Sequence, residues 1–189
     1  MTRRFADPGP GALESLFPEL RAWRRRPLWE AGPTTCAVAH SGLAVRQILE
    51  HRDPFLFVDD IVEVDLQVRG LHGRRHISRD DPVFIGHFPG QPTYPGVLQV
   101  ETMAQMGLCL MHFCATASPE IAPDAVPRPV RALKIHYAVF QAEVSPGDDL
   151  DVLVKLLASD EYTAVCAGQI LKGAAVCALA VTEAYLLGD

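Results

Sequence analysis

Residues 96–117 read GVLQVETMAQMGLCLMHFCATA, a run with few polar side chains. Its apolar residues cover nearly the whole circumference of a helix: Val97, Leu98, Val100, Met103, Ala104, Met106, Leu108, Leu110, Met111 and Phe113. A helix that is apolar all round is buried inside a protein. At ~1.5 Å per residue it spans roughly 30 Å, which is long enough to traverse a domain. The pattern therefore predicts one long internal helix from Gly96 to about Ala117.

Strands are predicted on both sides of this helix. Upstream, residues 55–64 are rich in Phe, Val and Ile, and a second strand is predicted after Gly73. Downstream, four apolar runs separated by turn residues cover residues 130–140, 150–159, 161–171 and 174–186. One buried helix beside many antiparallel strands predicts an α+β domain whose sheet wraps the helix.

We divide the chain into an N-terminal extension, residues 1–40, and a domain, residues 41–189, that opens with a short helix capped by Ser41. The extension contains five prolines and the run Arg24-Arg25-Arg26. Four of its apolar residues have helical spacing, although Pro18 breaks that helix unless it begins there: Leu13, Leu16, Phe17 and Leu20. We expect an irregular extension that can dock on the domain.

The composition limits the possible functions. Lys and Arg number 17 and Asp and Glu number 23, so the formal net charge of the 189 residues is −6. This balance argues against a general affinity for nucleic acid or for anionic membranes. No window approaches the ~18 uninterrupted apolar residues of a membrane span. The five cysteines are scattered without a CxxC pair, which indicates a reducing compartment, and we expect a cytoplasmic protein.

Two residue pairs are candidate metal ligands. His72 and His76 are four residues apart, but no helix is predicted there, and Cys109 and Cys114 point to divergent faces of the long helix. Neither pair has a recognised zinc-binding spacing. We therefore expect no metal and no organic cofactor.

A few polar residues stand where their chemistry is informative. Glu101 lies one turn into the apolar helix, where an unpaired carboxylate is costly to bury, and Gln105 on the same face can hydrogen-bond it. His87 lies in the Gly- and Pro-rich loop before the helix, and an imidazole suits proton transfer near neutral pH. The free N–H groups of Gly96 and Val97 can stabilise negative charge on a carbonyl oxygen. This set suits elimination of water from a β-hydroxyacyl thioester, unless Glu101 faces a solvent gap or a subunit contact.

The string GHFPGQPTYPGVLQVETMAQ at residues 86–105 resembles the (3R)-3-hydroxyacyl-[acyl-carrier-protein] dehydratases. Two further segments match this family in the same order, HRDPFLFVD at residues 51–59 and Phe140 followed by Pro146-Gly147-Asp148. The similarity covers roughly residues 43–186. It implies a hot-dog fold, in which an antiparallel sheet wraps a long central helix, paired as a homodimer or a trimer of dimers.

The resemblance also implies an active site at the dimer interface, with catalytic His87 from one subunit and catalytic Glu101 from the other. Neutral His87 would remove the C2 proton, and protonated Glu101 would protonate the departing C3 hydroxyl group. Gly96 would polarise the thioester carbonyl and Gln105 would support the carboxyl group. The remaining expected substrate contacts are Val97, Tyr94 and Phe88. A Glu rather than an Asp as the acid resembles the branch that only dehydrates.

The sequence is compatible with two carriers of the thioester, acyl carrier protein and coenzyme A. Around Phe140 the family often has basic residues that suit an acidic carrier protein, whereas this chain has Val139, Gln141 and Ala142. Arginines that could replace them are Arg74, Arg75, Arg128, Arg131 and the run 24–26. The depth of the acyl tunnel is expected to depend on Met103, Met106 and Leu110.

Two other functions are compatible with the same fold: a hot-dog acyl-thioesterase, and a non-catalytic acyl-thioester-binding subunit. The spacing of His87 and Glu101, fourteen residues apart within the GHFPG frame, disfavours the thioesterase. Retention of both residues disfavours a subunit that only binds. Dehydration in fatty-acid or polyketide-type synthesis is therefore the predicted function.

Overall fold

A single seven-stranded antiparallel sheet wraps one long helix in the computed structural model, which describes residues 16–187. The strands are β1 (Cys36–Ser41), β2 (Asp60–Asp65), β3 (Gly70–His76), β4 (Val130–Phe140), β5 (Asp149–Ser159), β6 (Thr163–Lys172) and β7 (Ala175–Leu186). Their order across the sheet is β1-β2-β3-β5-β6-β7-β4. The predicted α+β class is confirmed.

The helices are α1 (Phe17–Trp23), α2 (Gly42–Val45) and α3 (Gly96–Thr116), with a short 3-10 helix at Pro82–Ile85. The bounds of α3 confirm the predicted internal helix. Ala117 ends α3 in the left-handed conformation, with φ of 50°, and its N–H donates to the carbonyl oxygen of Phe113. No helix among residues 16–187 is long and apolar enough to cross a membrane.

Two glycines allow α3 to approach the sheet closely. A Cβ atom added to Gly73 of β3 would lie 2.4 Å from Cε of Met106, and one added to Gly168 of β6 would lie 2.5 Å from Cβ of Met103. Both methionines are buried. Because Gly73 and Gly168 have no side chains, the helix can lie close to both strands. These two contacts fix which face of α3 meets the sheet.

Most predicted elements are confirmed, but three regions upstream of α3 differ. Residues 55–59 were expected in a strand, yet β2 begins only at Asp60, because Phe55 and Phe57 bond through their backbones to the side chain of Gln105. The next strand begins at Gly70 rather than after Gly73. β1 was not predicted, since this edge strand is mostly exposed and lacks a clear apolar pattern.

The N-terminal segment forms a second layer on the outer face of the sheet. Pro18 lies at the start of α1, as the alternative for this helix required. The buried side chains of this layer and of the strands beneath it are Leu20, Trp23, Leu28, Trp29, Leu153, Ala167, Leu171, Leu179 and Val181. Residues 36–40, which were assigned to the extension, belong to β1. The candidate residue Leu13 lies outside the described residues.

A buried glutamine holds this layer in place. The side-chain oxygen of Gln169 accepts from the Leu28 N–H at 2.8 Å, and its amide nitrogen donates to the carbonyl oxygens of Arg26, at 2.9 Å, and Trp23. Trp29 packs against Gly70, and its indole N–H donates to the carbonyl oxygen of Leu71 at 3.3 Å. The segment is therefore bound by specific polar contacts as well as by apolar burial.

Replacing Gln169 with Leu should lower the free energy of unfolding by about 2 kcal/mol, because it leaves buried backbone groups unpaired. Urea denaturation measures this change. The matched control is Gln67→Leu in the exposed turn between β2 and β3, which should shift stability by no more than about 0.5 kcal/mol. Equal effects of the two substitutions would contradict the conclusion that Gln169 holds the N-terminal layer in place.

Candidate active site

The loop between the 3-10 helix and α3 orients His87. Nδ1 of His87 lies 2.7 Å from the carbonyl oxygen of Thr93. A carbonyl oxygen only accepts, so Nδ1 carries the hydrogen and Nε2 keeps its lone pair. The His87 backbone is held at both ends, since its N–H donates to Val83 and its carbonyl oxygen accepts from Thr93, each at 3.0 Å. Phe88 stacks on the ring at a centroid distance of 4.0 Å. The imidazole is thus arranged as a proton acceptor at Nε2.

The N-terminus of α3 follows directly after this loop. The N–H groups of Leu98 and Gln99 both donate to the Pro95 carbonyl oxygen at 3.1 Å. The N–H groups of Gly96 and Val97 belong to the first turn, so they have no acceptor within the helix. A Cβ atom at position 96 would lie 2.8 Å from the Phe140 ring. Glycine is therefore required here for Phe140 to pack against the start of the helix.

Glu101 lies in the second turn of α3, and the predicted hydrogen bond from Gln105 is present. Nε2 of Gln105 donates to Oε1 of Glu101 at 2.9 Å. Gln105 is itself buried and fixed, because it also donates to the Phe55 carbonyl oxygen at 2.9 Å and accepts from the Phe57 N–H at 2.8 Å. The carboxyl side chain remains 30% exposed in the single chain. Gln105 therefore ties the carboxyl group to residues 55–57.

A second histidine contacts the carboxyl group, and sequence reasoning did not assign it a role. Nε2 of His51 lies 3.4 Å from Oε1 of Glu101, and the His51 ring stacks with Phe55 at a centroid distance of 6.4 Å. The only sequence feature that could have indicated a role for His51 is its position in the HRDPFLFVD segment, which matches the family. Because fifty residues separate His51 from Glu101, their contact could not be read from local spacing.

Glu101 and Gln105 open onto a groove with a volume of about 410 Å³ between α3 and β4. Its other lining residues include Ala104, Leu108, Met111, His112, Val130 and Ile135. Met103, Met106 and Leu110, on whose packing the depth of the acyl tunnel was expected to depend, are buried in the core and do not line this groove. The uniformly apolar pattern of α3 gave no indication of which face would be free.

The structure places the expected site residues, together with the unpredicted His51, in two groups. Glu101, Gln105 and His51 line the groove, whereas His87, Gly96 and Val97 are not among its lining residues. Phe88 and Val97 are 55% and 74% exposed, so both are available at the surface. Tyr94 is only 1% exposed and lies in the core, where burial raises the pKa of its phenol. Its expected contact with substrate is not supported by this position.

Fold and site together define an α+β protein of the hot-dog class, with a polar cluster over an apolar groove. The chain belongs to the FabA-like domain family, whose model matches residues 49–180.

Two relatives are similar in sequence, and one solved structure is similar in fold. The 3-hydroxyacyl-[acyl-carrier-protein] dehydratase FabZ of a Nitratiruptor species is 39% identical over 114 residues, covering 60% of this chain and 74% of the relative. The dehydratase of the same name from Xanthomonas oryzae pv. oryzae is 33% identical over 112 residues, covering 59% and 69%. A chain of the dehydratase heterocomplex ApeI:P from Xenorhabdus doucetiae has a TM-score of 0.58 at 20% identity, covering 77% of this chain and 91% of that chain. The last likeness shows the fold.

His112 should make stability depend on pH, because burial lowers its pKa. Below a pH of about 6.5 the unfolded chain therefore binds more protons than the folded chain. His112 does not reduce the free energy of unfolding above that pH, but it lowers this free energy as the pH falls below it. Urea denaturation at pH 7.5 and pH 5.5 should show a smaller loss of stability in His112→Gln than in the wild type. Equal losses in the two proteins would contradict this role.

Proposed function

We propose that this chain is a dehydratase that removes water from (3R)-3-hydroxyacyl thioesters and releases trans-2-enoyl thioesters. Membership of the FabA-like domain family and the two dehydratase relatives support this activity. The observation that carries it is the hydrogen bond from Nδ1 of His87 to Thr93, which leaves Nε2 free to take a proton beside the start of α3.

We infer that the active enzyme is a homodimer in which His87 of one subunit faces Glu101 of the partner subunit. Within one chain, Glu101 lines the groove and His87 does not. β4 is the last strand of the sheet among residues 16–187, so one of its edges is unpaired. Its exposed apolar side chains and those of the His87 loop include Leu133, Ile135, Phe140, Ile85 and Phe88. Such a surface suits a second copy, which would also cover the groove.

In the proposed reaction, Nε2 of His87 removes the proton from C2 of the substrate. The negative charge that develops on the thioester oxygen is stabilised by the Gly96 N–H, with Val97 beside it and the helix dipole behind both. The C2 electron pair forms the C2=C3 double bond as the C3–O bond breaks. Glu101 of the partner subunit gives its proton to the departing hydroxyl group, which leaves as water. Gln105 holds the carboxyl group in place, and His51 is a neighbour able to position it.

We propose that the substrate is carried by acyl carrier protein, the carrier named for both dehydratase relatives, with coenzyme A as the alternative carrier. The apolar groove along α3 would receive the acyl chain, because it begins at Glu101 and is lined mainly by aliphatic side chains. Exclusion of water from this groove strengthens the electrostatic interactions of the charged groups inside it.

His87→Ala and Glu101→Gln should each lower the rate of crotonyl thioester hydration by ~10²–10⁴, since each removes one proton-transfer group. The assay is the loss of enoyl absorbance. When the two inactive variants are mixed and allowed to exchange subunits, half of the dimers become mixed, and each mixed dimer contains one intact site. We therefore expect recovery of about a quarter of the wild-type rate.

Circular dichroism and size-exclusion chromatography of each variant control for folding and dimer formation. Wild-type turnover by either variant would remove that residue from the mechanism. Failure of the exchanged mixture to recover activity would instead indicate that both residues act within one chain. Release of free thiol without loss of enoyl absorbance would identify a thioesterase.

A further inference from the structure

The run Arg24-Arg25-Arg26, directly after α1, is fixed to the body of the protein by reciprocal hydrogen bonds. Nε of Arg24 donates to Oε1 of Gln141 at 2.6 Å, and Nε2 of Gln141 donates back to the Arg24 carbonyl oxygen at 2.8 Å. The Arg26 carbonyl oxygen is held by Gln169. All three arginine side chains are exposed. The positive charges therefore have a defined position without being buried.

That position is close to the start of α3, where the N–H groups of Gly96 and Val97 lie. Gln141 directly follows Phe140, whose ring packs on Gly96. The chain beyond Gln141 runs beside the segment that precedes α3, because Val144 accepts from the Tyr94 N–H at 2.7 Å and Glu143 accepts from the Thr93 hydroxyl group. The arginine run thus lies beside the strand end that borders both the His87 loop and the start of α3.

The charge of this region contrasts with the rest of the protein. Residues 16–30 contain four arginines and two glutamates, a net charge of +2, while the whole chain carries −6. β4 brings no positive charge to this corner, because residues 139–142 are uncharged. Beyond them, Glu143 is acidic, and its backbone oxygen accepts from the ammonium group of Lys172. Arg25 and Arg26 are exposed cations that directly follow Arg24, the residue anchored at this strand end.

We propose that Arg24-Arg25-Arg26 forms the docking surface for an acidic face of the carrier protein that delivers the thioester. This inference rests on the proposed function. A carrier protein must bring its thioester to the Gly96 N–H, so its surface meets the protein around the mouth of the site. Positive charge there attracts an acidic partner over a distance and favours the productive orientation. The N-terminal layer would thus supply basic charge next to residues 139–142, which carry none.

The test compares Arg25→Glu/Arg26→Glu with Arg25→Lys/Arg26→Lys. Both variants keep Arg24, so the anchor to Gln141 is retained, and the lysine variant keeps the charge. Binding of fluorescently labelled holo acyl carrier protein from the same organism is measured by anisotropy. The glutamate variant should raise Kd roughly tenfold or more, and the lysine variant should remain near the wild type. Added salt should weaken binding to the wild type more than binding to the glutamate variant.

Steady-state kinetics with different thioester substrates distinguish an effect on docking from an effect on catalysis. For 3-hydroxybutyryl-acyl carrier protein, KM should rise roughly tenfold in the glutamate variant. For the N-acetylcysteamine thioester, which has neither protein nor phosphate, kcat/KM should be unchanged. An unaltered Kd for the carrier protein, or a wild type that does not bind it, would overturn the proposal. An equal rise in KM for the coenzyme A thioester would also overturn it, by assigning the arginines to phosphate binding. If the wild type binds the carrier protein but dehydrates none of these thioesters, the proposed function fails and the docking surface stands.

Discussion

The structure depends on the requirement that an apolar helix be covered on every side. The sheet covers one face of α3 closely, because Gly73 and Gly168 leave space for Met106 and Met103. The opposite face, toward β4, is only partly covered and forms the groove. Because the helix is only partly covered on this side, an apolar cavity remains along it, with Glu101 at one end. A hydrophobic core and an apolar groove are thus two faces of one helix.

The long helix and the four strands after it could be predicted because their apolar patterns are long and bounded by clear turn residues. Prediction failed where the structure depends on contacts between distant residues. Residues 55–57 use their backbone groups to bind Gln105, and no local pattern reveals that pairing. An all-round apolar helix also hides which face packs on the sheet, so the residues that line the groove could not be named from the sequence. β1 was missed because an exposed edge strand needs little apolar alternation.

For the site as well, the sequence indicated which residues are candidates, whereas their geometry came only from the structure. Motif resemblance identified His87, Gly96 and Glu101 as candidates, and helical spacing led to the contact between Gln105 and Glu101. Coordinates were needed to assign the proton on His87 to Nδ1, since that depends on the carbonyl oxygen it meets. They were also needed to find His51 beside the carboxyl group.

The N-terminal layer links stability to the environment of the site. Gln169 binds the carbonyl oxygens of Trp23 and Arg26, and Gln141 binds Arg24, so the chain between α1 and Leu28 is held at both ends of the arginine run. Burial of Trp23 and Trp29 against the outer sheet supplies the apolar contribution to this attachment. Loss of these contacts would therefore release the arginines from the strand end that packs on Gly96. Such a change could alter substrate delivery while leaving every atom of the proposed catalytic pair in place.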